Sequence, residues 1–174
     1  MKSTLPCVAL FWLLTVGQAA AMSLASADIQ PNSTIAARHI YTRCGGGNLS
    51  PQLSWSGAPK ATQSFVVTMI DLDVKPHQWS HWILVDLPPT TTSLARGLKA
   101  PPGHAQVLNS DFGDAAYDGP CPPKGSGLHR YQITVWALPA PVAPLRSGDR
   151  ATDVVQRLLK LAIDRASFIG TVRG

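Results

Sequence analysis

The chain has 174 residues, 45% of them apolar and 14% charged. That balance excludes a disordered chain and suits one domain that buries its own core without a metal. Fifteen prolines and fourteen glycines exclude a helical bundle and point to short strands joined by turns. Every acidic side chain is Asp, which excludes chemistry that needs a glutamate, the zinc-protease helix motif included. The formal charge of +5 is spread over isolated residues such as Arg38, Arg43, Lys60, Lys75, Arg96 and Lys99. Without basic runs or interleaved aromatics it reads as a solvated surface, and no nucleic-acid partner is expected.

Lys2, the apolar run Leu5–Val16 and the small residues that follow have the layout of a secretory signal peptide over residues 1–27. Two Ala-x-Ala sites would allow cutting after Ala21 or after Ala27. The run is too short to cross a bilayer comfortably, so no stable membrane span is expected after cleavage. Residues 28–174 then form a single domain, periplasmic or secreted. Cys7 sits at the front of the apolar run and not after it, which does not suit lipid attachment there. Cys44 and Cys121 remain. In an oxidising compartment they either pair as a disulfide or stay as two small buried thiols.

Ser64–Asp71 (SFVVTMID) and Trp79–Leu87 (WSHWILVDL) are rich in β-branched and aromatic residues and are expected strands. Pro76 makes residues 72–78 a connecting loop. Ala100–Ser126 is dense in Gly and Pro and is expected to be mostly loop. His129–Leu138 alternates as a third strand, with Tyr131, Ile133, Val135 and Ala137 on one face. The spacing of Val154, Val155, Leu158, Leu159, Ala162 and Ile163 predicts one helix over Ala151–Arg165, capped by Asp149 or Thr152. Ser167–Val172 is expected to be a short last strand. The fold class is mainly β, with a peripheral C-terminal helix.

The chemistry-bearing residues gather near strand ends, where loops meet a rigid scaffold. Asp71 and Asp73 close the first long strand, His81 lies early in the second and His129 opens the third. His77 and His81 have a helical ligand spacing, but Pro76 argues against a helix, and no metal or other cofactor is expected. Ser80 beside His81, and Cys121 ahead of His129, match no nucleophile motif. The segment Tyr117–Tyr131 (YDGPCPPKGSGLHRY) offers glycine N–H groups, an imidazole and tyrosine hydroxyls, donors suited to phosphate oxygens.

Five segments in order carry a resemblance: GGNLSPQLSW (Gly46–Trp55), DLDVKP (Asp71–Pro76), WSHWILVDLP (Trp79–Pro88), NSDFG (Asn109–Gly113) and YDGPCPPKGSGLHRY. Together they resemble the phosphatidylethanolamine-binding protein family, and within it the bacterial Raf-kinase-inhibitor-like branch. The resemblance implies a central antiparallel sheet, a smaller second sheet and a surface pocket for phosphate, acetate or a phospholipid headgroup. By motif it implies ligand-binding roles for Asp71, His81, Tyr117, Gly119, Cys121, His129 and Tyr131. The chain departs from the pattern by an additional residue before Pro76 and by glycine where an acid is usual in Cys44–Gly47. The expected function is that of an exported, non-enzymatic binding or modulatory protein whose partner is a small anion or phospholipid headgroup. Imidazole protonation would make anion binding tighter toward pH 6. The alternatives are a hydrolase acting on a phosphorylated or acylated small molecule, and an inhibitor of a partner enzyme, which would bring a protein partner.

Overall fold

A computed structural model describes residues 21–174; the expected leader up to Ala20 lies outside the described residues. In chain order the strands are β1 (Ser23–Ala25), β2 (Leu53–Ser56), β3 (Ser64–Asp71), β4 (Trp79–Leu87), β5 (Ser93–Leu94), β6 (Gln106–Val107), β7 (Leu128–Leu138) and β8 (Asp164–Arg173), with helix α1 (Ala151–Leu161) before the last. A five-stranded sheet runs β6-β4-β3-β7-β8 and a three-stranded sheet runs β1-β2-β5. All strand pairs are antiparallel.

Every residue of β3 is buried, because apolar layers cover both faces of the strand. Phe65, Val67 and Met69 join Ile133, Val135 and Ala137 of β7 in one core, closed by Leu53, Trp55 and Leu94 of the smaller sheet. Val66 points the other way, into a second core with Trp136, Leu138, Val154 and Leu158. That alternation is the two-residue period of a strand with both faces covered. Thr68 sits in the second layer without an orphaned hydroxyl, since Trp136 Nε1 donates to its Oγ1 at 3.0 Å.

The expected strands Ser64–Asp71 and Trp79–Leu87 form with those bounds, and the third begins one residue early, at Leu128. Two expectations are corrected at the C-terminus. The helix stops at Leu161 rather than Arg165, and the last strand spans Asp164–Arg173 rather than Ser167–Val172. The long free edge of β7 takes up this chain: Ile163 N–H donates to the Ala137 carbonyl, and pairing continues to Leu128↔Arg173. Ala162 and Ile163 continue the helical apolar period, which hides this boundary in the sequence. Nor does Asp149 or Thr152 cap the helix. Arg150 holds the N-cap position without a side-chain cap bond, and the Asp149 carboxylate receives Arg146 N and Arg157 Nη1 instead. The Ala100–Ser126 loop contains β6 but is otherwise irregular.

Cys44 and Cys121 are joined as a disulfide, their Cα atoms 5.7 Å apart. It ties the 3-10 turn Thr42–Cys44 to the proline-rich loop before β7. The two segments already touch: Tyr41 N–H donates to the Pro120 carbonyl at 3.1 Å. Gly119 must be glycine here, because a Cβ would overlap the His39 carbonyl oxygen.

Candidate functional site

Three strand ends meet at one end of the larger sheet. Register places Asp71, the last residue of β3, opposite Tyr131 on one side and Trp79 on the other. The β3–β4 ladder slips here: Ile70 pairs with Ser80 and Met69 with Trp82, so His81 is the extra residue of a bulge. A bulge re-aims its side chain. The His81 ring lies edge-on to Tyr131, centroids 5.1 Å apart, while the next residue, Trp82, stands edge-on to Tyr117.

These ends open into a cavity of about 280 Å³. Asp71, His81, His129 and Tyr131 form its polar floor, and Val74, Trp79, Phe112, Cys121, Pro122 and Pro123 form its walls. The aspartates do not work as a pair. The Asp71 carboxylate turns inward and accepts from His129 Nδ1 at 2.7 Å and from Asp73 N–H at 2.9 Å. Asp73 turns outward and receives Arg130 through Nε at 2.9 Å and Nη2 at 2.7 Å. Those bonds hold the Asp73 carboxyl below the usual range, against a smaller opposing effect of burial. The fork clips the loop after β3 onto β7.

His81 Nδ1 lies 2.7 Å from the Asp118 carbonyl oxygen and must donate to it. In the neutral ring Nε2 is then an acceptor. Burial, chiefly, lowers the His81 pKa from its ordinary value near 6.5; the Asp118 carbonyl and the Asp71 charge oppose that shift without overcoming it. Any strengthening of anion binding by His81 protonation is therefore shifted to lower pH than an ordinary imidazole would give. Tyr131 contributes a hydroxyl that is fully buried and has no hydrogen-bond partner. Burial, with Asp71 close by, pushes its pKa far up, so it keeps its proton as a donor. An orphaned donor between two imidazoles is a place for an acceptor from outside the chain.

Of the expected ligand residues, Asp71, His81, Cys121, His129 and Tyr131 line this cavity. Tyr117 and Gly119 do not. The Tyr117 hydroxyl donates to the His39 carbonyl at 2.9 Å, and Gly119 N–H donates to Asn48 Oδ1 at 2.7 Å. Their donors fasten the loop from inside. Cys121 is present as half of a disulfide and offers no thiol. Ser80 Oγ donates to Asp111 Oδ2 at 2.8 Å and accepts Asp111 N–H at 2.9 Å, which pins β4 to the following loop. A larger cavity, about 360 Å³ between Asn48, Trp82, Lys99 and Tyr117, carries no imidazole; the convergent chemistry is in the smaller one. Sequence reasoning missed the apolar walls, although Trp79 and Phe112 stand inside the quoted motifs. Among the described residues no three His, Cys or Asp side chains converge to hold a metal, and no helix is long and apolar enough to cross a membrane.

Comparison with known proteins bears on this arrangement. Residues 25–173 match the sequence model of the phosphatidylethanolamine-binding protein family. The UPF0098 protein YbcL of Escherichia coli K12 is 39% identical over 157 residues, 85% of either chain. The lipoprotein-named LppC of Mycobacterium tuberculosis H37Rv is 34% identical over 135 residues, 78% of this chain and 65% of that one. The crystal structure of E. coli YbcL, described as a member of the mammalian PEBP family, superposes with a TM-score of 0.78 at 36% identity, over 87% of this chain and 98% of that one.

Proposed function

The chain belongs to the phosphatidylethanolamine-binding protein family, and on that footing we propose that it is an exported, periplasmic or secreted, non-enzymatic binding protein. Its ligand is a small phosphoryl anion or a phospholipid headgroup. The observation that carries this reading is the Tyr131 hydroxyl, buried and unpartnered on the floor of a cavity of about 280 Å³. Tyr131 Oη donates to a phosphoryl oxygen, and His129 Nε2, its Nδ1–H given to Asp71, is an acceptor in the neutral ring. His81 Nε2 accepts from a protonated phosphoryl oxygen or from the ammonium of a zwitterionic headgroup. The Asp71 carboxylate behind His129 disfavours a dianion by like-charge repulsion, so a monoanion or a zwitterion fits better. Trp79, Phe112 and the prolines pack the ligand's carbon atoms.

One observation favours a second reading, a hydrolase acting on a phosphorylated or acylated small molecule. His129 and Asp71 have the geometry of a general base and the carboxylate that orients it. Ser80 and Cys121 are engaged elsewhere, so water would be the nucleophile. Turnover of aryl phosphate and aryl acetate esters that is lost in His129→Ala would establish this reading over the first.

Calorimetric titration tests the binding proposal. Phosphoethanolamine should bind, and His129→Ala and Tyr131→Phe should each weaken it by roughly 1–3 kcal/mol. Affinity should rise as pH falls from about 7.5 to about 6, because the phosphomonoester monoanion becomes populated near its second pKa of about 6. Glycerophosphoethanolamine, a diester that does not titrate there, should bind equally at both. If the diester tightens too, the titrating group is an imidazole of the protein. Unchanged affinity in both variants overturns the site.

A further inference from the structure

We propose that the leader is removed between Ala21 and Met22, and that the amino group so created forms an ion pair with Asp164 at the start of β8. The proposal rests on the export reading above. Two Ala-x-Ala sites compete in the sequence, ending at Ala21 and at Ala27. The folded domain distinguishes them.

A cut after Ala27 would remove working parts of the fold. Met22 is buried in the first core. Leu24 of β1 pairs with Trp55, and Ala25 with Ser54, covering one edge of β2. Ser26 Oγ donates to the Gln52 carbonyl at 2.5 Å and accepts the N–H groups of Asp28 and Ile29. Losing these residues would bare a strand edge and uncover Trp55. The family match also begins at residue 25, inside the segment such a cut would discard. A cut after Ala21 leaves every one of these contacts in place.

The second observation lies at the new terminus. Met22 N stands 3.2 Å from Asp164 Oδ2, while Asp164 Oδ1 is occupied by the Arg165 N–H at 2.8 Å. In the unprocessed chain this nitrogen is a neutral amide. A membrane-bound signal peptidase and one water molecule hydrolyse the Ala21–Met22 bond: the hydroxyl passes to the Ala21 carbonyl carbon and the proton to nitrogen. Below the ordinary α-amino pKa of about 7.7–8.0 the amine gains a further proton from solvent. A single hydrogen bond thereby becomes a charge-assisted one at the junction of β1 with β8. Processing and sheet closure are coupled through one carboxylate.

The experiment is export of the full chain, with its own leader, from a bacterial host, followed by intact mass and N-terminal sequencing. The expected N-terminus is Met22. An N-terminus at Asp28 overturns the assignment and leaves export standing; retention of Met1 overturns export and this proposal together. Ala21→Arg should accumulate precursor, whereas Ala27→Arg, at an exposed position, should be processed normally; the reverse pattern also overturns it. For the ion pair, Asp164→Asn should lower the thermal midpoint of the processed protein by about 2–4 °C, and less in about 1 M salt. The same change should matter less in the uncleaved Ala21→Arg chain. Equal losses in the two backgrounds overturn the pairing. Should Asp164→Asn fail to fold, amine labelling of the processed wild-type protein decides: a paired Met22 amine titrates above the ordinary α-amino range, and an unpaired one within it.

Discussion

His81 and Asp118 are joined by two hydrogen bonds and respond to acid in opposite senses. His81 N–H at Nδ1 donates to the Asp118 carbonyl, and Asp118 N–H donates to the His81 carbonyl. The Asp118 carboxyl is raised to about 6, first by burial and then by the neighbouring Asp114 carboxyl. The native state therefore holds a proton that the unfolded chain releases near 3.8, and the stability from this group is lost as pH rises through about 6. For His81 the native pKa lies below the unfolded value, so its contribution is present above about 6.5 and is lost as pH falls. Asp118→Asn should raise stability by on the order of 1–2 kcal/mol at about pH 7.5, with the gain vanishing toward pH 4. His81→Asn should flatten the acid limb. Thermal unfolding across pH checks both; a gain in Asp118→Asn that does not depend on pH would contradict the linkage. Neither behaviour is legible in the residues WSHWILVDLP or YDGPC, because each depends on burial and on a neighbour set by the fold.

At the scale of elements, the pocket depends on two irregularities. The bulge at His81 puts an imidazole beside Tyr131 where regular pairing would give it a partner across the ladder. The disulfide holds Cys121 and the two prolines after it as a wall, although the cysteines are 77 positions apart. Replacing both Cys44 and Cys121 with Ser should cost about 2–5 kcal/mol in urea unfolding, since a long loop is released in the unfolded chain. Phosphoethanolamine affinity should fall in the same variant. An unchanged affinity would show that the Tyr41–Pro120 and Asn48–Gly119 hydrogen bonds hold the wall without the covalent link. The strands that carry the site were legible, because β-branched runs ending in Pro or Gly report a local preference. The helix end was not, since Ala162 and Ile163 satisfy a helical period while the free edge of β7 claims the chain that follows.

Across the whole molecule the five-stranded sheet is a partition between two cores. Val66 and Val67 are sequence neighbours, both fully buried, yet one packs in the layer of α1 and the other in the layer of the smaller sheet. Val66→Ala and Val67→Ala should each cost about 1–3 kcal/mol. The double variant should be additive within about 0.5 kcal/mol, because the two cavities share no partner. A larger coupling in denaturant unfolding would mean that the sheet transmits strain between its faces.

The strand runs, the turn-rich stretches between them and the segments that carry the family resemblance were available from the residues alone. Their physical basis is local: alternation, β-branching and proline act between neighbours a few positions apart. What tertiary structure decided is which polar groups are already partnered. Tyr117 and Tyr131 look alike in the segment YDGPCPPKGSGLHRY, but the first reaches a carbonyl 78 positions away and the second is left with a free hydroxyl. Asp71 and Asp73 stand one residue apart and turn to different partners, His129 across 58 positions and Arg130 across 57. Hydrogen-bond satisfaction is a property of the assembled register, so no local pattern records it, and it is what separates a residue that holds the fold from one that can hold a ligand.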